Sequence, residues 1–212
     1  MVPSPRDFNA DYSMVEKAEE MAEKYALLAL EYNSESPTAL SLLASIRLSQ
    51  TRVEEATSLL QQSLSKWLGV HDALIPSYAE RINLVKLLME IELYPKALEV
   101  LETMEREDEE NVELWYLYTC AYYHDTEESK EENWKSAKEC AETCLKLYQR
   151  MEWDDEELKN SCQEILSQIQ KSGIVVEKEG EQDEEDAEEE EWESEDGEEA
   201  EDEGDVEMED AH

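Results

Sequence analysis

A helical-pair pattern recurs along this chain. Such recurrence constrains the fold strongly, because a pair with one apolar face can bury it only against the next pair. The stretch PTALSLLASIRLSQTRVEEATSLLQQSL carries Leu40, Leu43, Ala44, Ala56, Leu60 and Ser63 at its packing positions. In SYAERINLVKLLMEIELYPKALEVLETM, the same succession falls on Leu84, Leu88, Tyr94, Ala97, Leu101 and Met104. NVELWYLYTCAYYHD opens a third pair with Trp115, Tyr118 and Tyr122, and WKSAKECAETCLKLYQRM completes it with Trp134, Ala137, Ala141 and Cys144. The register needs insertions before Ser77 and at 126–133, so the repeats are unequal in length.

The order of large and small residues at these positions is that of a tetratricopeptide (TPR) repeat. Two further helices flank the pairs. A leading helix over 12–31 sets Ala18, Met21, Ala22, Tyr25, Ala26 and Ala29 at helical spacing, its small residues letting a neighbour approach closely. It ends in the turn NSESPTAL, where Ser36 is a good N-cap and Pro37 fits the first helical position. The stretch DDEELKNSCQEILSQIQKSG makes a closing helix through Leu158, Cys162, Ile165, Leu166 and Ile169, with Asp154 and Asp155 suiting its start and Gly173 its end. Only five glycines, five prolines and no sustained β-branched alternation accompany this pattern. The expected fold is therefore all-α: a TPR right-handed superhelix of about three helical pairs with a leading and a closing helix, over 12–173. A flexible N-terminus at 1–11 precedes it and a disordered acidic tail at 174–212 follows.

From Glu177 onward the chain holds 23 acidic residues against one lysine, 22 of the net 40 negative charges. The few apolar residues there lie among mutually repelling carboxylates and cannot join a core. Residues 1–176 still carry 35 acidic against 17 basic residues. This charge disfavours nucleic acid and anionic membrane as direct partners and favours a strongly basic protein. The start, MVPSPRDFNADYS, lacks the apolar segment of a signal peptide, and the expectation is a soluble intracellular protein with reduced thiols.

No residue pattern points to catalysis. Cys140 and Cys144 share a helix face but lack the short spacing of a structural zinc site, and Cys144 falls at a small packing position. His71, His124 and His212 have no neighbouring nucleophile motif, and no glycine-rich phosphate loop exists. The expectation is a non-enzymatic protein with no cofactor and no metal. In this architecture the first helix of each pair lines a concave groove. That rule projects Ser45 and Leu48 from the first pair, Ile82, Lys86, Met89 and Glu90 from the second, and Glu113, Tyr116 and Tyr123 from the third. An apolar and aromatic floor flanked by Glu107, Asp108, Glu109, Glu110 and Glu113 suits a basic segment, whose cations meet aromatic faces and carboxylates.

Beyond general TPR grammar, the strings SPTALSLLASIRLSQTRVEEA, ERINLVKLLMEIELYPKALEVLE, EDEENVELWYLYTCAYY, KLYQRMEWDDEELKN and WESEDGEE resemble a particular family. It is that of the fungal dedicated assembly chaperones of large-subunit ribosomal protein four, matched over most of 12–196, the C-terminal part of the family's usual length. The resemblance implies a protein that binds its newly made client and shields the client's long basic loop. It also implies release into pre-60S particles, a life in cytoplasm and nucleus, and nuclear entry through the client or an import receptor. Two other readings fit composition alone: a general TPR adaptor for the acidic tail of a heat-shock chaperone, and an acidic histone chaperone. The first needs a basic groove floor, where Lys86 is the principal cation. The second is favoured by the tail but not by the repeat body.

Overall fold

The computed structural model describes residues 5–70, 75–125 and 129–173, with side chains from Lys17 onward. All belong to the first of two units, 1–176; the second, 177–212, and with it the expected acidic tail, lies outside the described residues. Eight helices and no strand occur among the described residues. In chain order they are α1 (Pro5–Tyr32), α2 (Pro37–Ser49), α3 (Val53–Ser65), α4 (Tyr78–Glu90), α5 (Tyr94–Glu105), α6 (Val112–His124), α7 (Lys130–Arg150) and α8 (Glu156–Lys171). Helices α2 with α3, α4 with α5, and α6 with α7 form the three pairs, α1 leads and α8 closes. None of the helices is long and apolar enough to cross a membrane.

Side-chain caps set where the first helices begin. The hydroxyl of Ser36 accepts from Ala39 N–H, Ser77 from Glu80 N–H, and the side chains of Asn111 and Asp155 from Leu114 and Leu158 N–H. Each cap satisfies an amide that the helix itself leaves open. At Ser77 the cap is reciprocal, since the Glu80 carboxylate accepts from Ser77 N–H at 2.8 Å. The second helices α3 and α5 start differently, at Arg52 and Leu93, with no side-chain cap. Their entry is fixed by the preceding turn: Thr51 and Glu92 hold φ of 59° and 62°, and Arg52 and Leu93 N–H reach back to Arg47 and Leu88 carbonyls at 2.8 and 2.9 Å. Such left-handed turns close the preceding helix as a C-terminal cap.

Two helix starts differ from expectation. α1 begins at Pro5 instead of at residue 12, shortening the expected flexible segment of 1–11; Pro5 occupies the first helical position, where a missing N–H costs nothing. α7 begins at Lys130, four residues before Trp134, because Ser129 caps it by accepting from Glu132 N–H.

One buried cluster runs from Ala44 on α2 through Leu60, Leu88, Leu101 and Tyr118 to Cys140 on α7. Ala44, Ala56, Ala97, Ala137 and Ala141 are all fully buried, and their small size lets the helix axes approach. Ser63 is buried too, its hydroxyl donating to the Pro37 carbonyl at 2.9 Å and lying 2.9 Å from Ser41 Oγ. α1 joins the first pair through Ala26, Leu43 and Ile46. The buried guanidinium of Arg47 reinforces this joint, lying 2.7 Å from Glu23 on α1 and 3.4 Å from Glu55 on α3. At the other end, α8 seals the last pair with Leu158 and Cys162 against α7 and with Ile165 and Ile169 beside Trp134. The fold is a TPR-type stack.

Candidate functional site

Between α2 and α4 a concave site of about 340 Å³ opens, lined by Thr38, Ser41, Leu42 and Ser45 on one side and by Glu80, Asn83, Lys86 and Leu87 on the other. Its width follows from side-chain size. Counted from the N-caps, Ser41, Ile82 and Tyr116 occupy equivalent positions on the three first helices, facing the next first helix. The hydroxymethyl of Ser41 leaves room in front of α4. Ile82, bulkier and buried, belongs to the central cluster that also holds Leu114 and Leu117 of α6. Tyr116 spans the third gap, its hydroxyl 3.3 Å from Ser161 on α8.

Apolar and polar groups alternate around the open gap. Leu42 is 49 % exposed and offers an apolar surface at the edge of the gap. Across from it, the Glu80 carboxyl is held below the usual carboxylate range, chiefly by the Ser77 hydroxyl, then by Ser77 N–H and the Thr38 hydroxyl. The wall therefore keeps a negative charge at neutral pH. Lys86 contributes no free positive charge, because its ammonium lies 2.7 Å from Glu113.

The nine residues projected from sequence divide into three groups. Ser45 and Lys86 line the open site, and Glu113 joins them through its pairing with Lys86. Leu48 and Met89 are half-buried against the central cluster, Ile82 lies inside it, and Glu90 is exposed at the end of α4. Tyr116 and Tyr123 belong to the distant α6–α8 end, where their hydroxyls meet Ser161 and Gln168. Burial pushes the Tyr116 phenol up to about 12. Tyr123 stacks on Trp134 with centroids 5.2 Å apart, and Lys130 sits 4.2 Å over the opposite partner of that stack, the Trp134 ring. A cation on an aromatic face thus already occurs here within the chain.

Acidic side chains at the α5–α6 turn are partly engaged as well, Glu107 with Arg81 at 2.5 Å and Glu110 with Arg150 at 2.8 Å. Sequence projection missed Leu42, Glu80, Asn83 and Leu87. It carried one set of positions from helix to helix, whereas a gap between successive first helices takes the forward face of one and the rearward face of the next.

No protein-family profile matches the sequence. Two curated fungal proteins do, each named "Probable assembly chaperone of rpl4". One, from Schizosaccharomyces pombe, is 34% identical over 189 residues, 82% of this chain and 56% of its own length. The other, from Emericella nidulans, is 34% identical over 188 residues, 79% of this chain and 49% of its own. The chain spans about half the length of these relatives. Among solved structures, a double mutant of MamA aligns with TM-score 0.46 and 14% identity, covering 78% of this chain and 93% of that one. YrrB, described as a TPR protein with an unusual peptide-binding site, aligns with TM-score 0.41 and 15% identity over 79% of this chain and 86% of its own.

Proposed function

From its homology to fungal proteins named "Probable assembly chaperone of rpl4", we infer that this chain is a dedicated, non-enzymatic chaperone that binds newly made large-subunit ribosomal protein four. The single observation carrying this reading is 34% identity extending over 82% of the chain. The groove adds support. Its negatively biased wall at Glu80, with Lys86 neutralised by Glu113, suits a basic segment with an apolar anchor and not the carboxylate tail that a heat-shock adaptor must hold. Ribosomal proteins carry basic extensions that fold only against RNA, and a chain with net charge −40 competes with stray polyanions for them. The repeat body supplies shape recognition. Residues 177–212, with 23 acidic side chains, raise the encounter rate. The protein works in cytoplasm and nucleus, entering the nucleus with its client or with an import receptor.

The test compares the full chain, a form lacking 177–212, and Leu42→Asp for binding to ribosomal protein four in low and moderate salt. Leu42→Asp lowers affinity about tenfold at both, the worth of one apolar anchor. Tail removal slows capture mainly at low salt, where charge steering is unscreened. Undiminished binding by Leu42→Asp removes the groove from the mechanism. Preference of the full chain for histones or for an acidic heat-shock tail peptide overturns the client assignment.

A further inference from the structure

Cys144 on α7 and Cys162 on α8 face one another inside the seam between the last pair and the closing helix. Both are fully buried, and their sulfurs are 3.7 Å apart. Val112, Leu147, Tyr148 and Leu158 surround them. Neither thiol is needed for the binding groove, which lies on α2 and α4, and a pair of small apolar residues would pack as well. We propose that Cys144 and Cys162 form a reversible disulfide site that fastens α8 to α7 when the chain meets a peroxide.

Bond formation requires the sulfurs to close by about 1.7 Å, to roughly 2.05 Å. The two thiols are not equivalent. Cys162 donates to the Cys144 sulfur and Cys144 donates to the Val112 carbonyl at 3.5 Å; the bond between the two sulfurs shifts Cys162 down against the effect of burial, while that bond and burial raise Cys144. Cys162 rides on α8 and leaves the seam with it when that helix opens, which makes it the first nucleophile. Its thiolate attacks one peroxide oxygen and expels hydroxide, giving a sulfenic acid. The Cys144 sulfur then attacks the Cys162 sulfur, the S–O bond breaks, and water leaves as Cys144 gives up its proton. Two thiols and one hydrogen peroxide thus yield one disulfide and two waters. Because both sulfurs are buried, peroxide enters only when α8 lifts transiently, and the bond then prevents it from lifting again. The same helix carries Ser161 and Gln168, which hold Tyr116 and Tyr123, so the crosslink also keeps the third gap between first helices shut.

Full-length native protein is treated with hydrogen peroxide, and its four free cysteines are counted by alkylation before and after. The expected result is loss of two of the four, a peptide joining Cys144 to Cys162 in the non-reduced digest, and recovery of all four with dithiothreitol. Amide exchange in α8 slows in the oxidised form. Cys120→Ser retains the crosslink and Cys162→Ser abolishes it. The wild-type digest decides the matter if the latter variant folds poorly. Four thiols still alkylatable, a crosslink containing Cys120 or Cys140, or oxidation that ends in sulfinic acid without a crosslink each overturns the proposal. None of these outcomes bears on the client reading, which is measured separately.

Discussion

Arg81 stands where the neighbouring repeats place Leu40 and Trp115, four positions after each N-cap, and its side chain is only 3% exposed. Its guanidinium meets Glu107 at 2.5 Å and Thr103 at 3.4 Å and lies 5.7 Å above the Tyr78 ring, yet its Nε has no partner. An asymmetry follows from this geometry. Removing the carboxylate strands a buried positive charge, which in a wholly dry site costs about 3–5 kcal/mol. Glu107 is 47% exposed, so water enters from its side and the expected cost of Glu107→Ala falls to about 2 kcal/mol. Replacing the arginine removes the charge together with its desolvation and the orphaned Nε, itself a penalty of about 1–3 kcal/mol. Arg81→Met is therefore expected to change stability by less than about 1 kcal/mol, and the double variant to resemble it. Urea unfolding measures this directly: with a slope near ~2 kcal/mol/M, Glu107→Ala lowers the midpoint by about 1 M and Arg81→Met leaves it nearly unmoved. The reverse order, with Arg81→Met costly and Glu107→Ala silent, would refute the argument that the carboxylate mainly compensates a buried charge.

Three further expectations use the same assay or its pH dependence. Thr51 and Glu92 sit at positive φ without being glycine, so Thr51→Gly and Glu92→Gly each stabilise by about 0.5–1 kcal/mol, strain relief outweighing the added freedom of the unfolded chain; a lowered midpoint for both contradicts this. Burial raises the Tyr78 phenol to about 12 from 10.0, so its contribution is complete below pH 10 and is lost as pH climbs through 12. Tyr78→Phe flattens the alkaline arm of the stability curve, and at neutral pH it costs little because the buried hydroxyl has no partner. In the groove, Ser41→Tyr closes the α2–α4 gap as Tyr116 closes its own, lowering client affinity about tenfold while unfolding stays within about 1 kcal/mol of the parent; unchanged affinity contradicts the size argument.

Helix identity and pairing were legible in the sequence because they rest on local signals. Ser36 and Pro37 mark the start of α2, Asp155 starts α8 and Gly173, at φ of 73°, ends the last helical turn. Each signal is a property of a few adjacent residues, and so is the small-large succession that sets the pairs. The early start of α7 is also local, since Ser129 and Glu132 make its cap; the aromatic pattern beginning at Trp134 masked it because it marks where burial begins and not where the backbone becomes helical.

The site was less legible because a gap belongs to two helices. Projection of equivalent positions found Ser45 and Lys86 but gave Ile82 and Tyr116 the same lining role, although Ile82 is buried in the central cluster and the Tyr116 hydroxyl meets Ser161 on α8. The rearward residues matter equally: Asn83 and Leu87 face the gap that Ser41 leaves open, whereas Leu117 shares a buried cluster with Ile82. A periodic backbone thus acquires a localised site through aperiodic side chains. The same reasoning singles out Leu42 as the side chain to test in the α2–α4 gap. It is half exposed beside the one gap that its small neighbours keep open, so an incoming apolar side chain can bury it without displacing any packing already made.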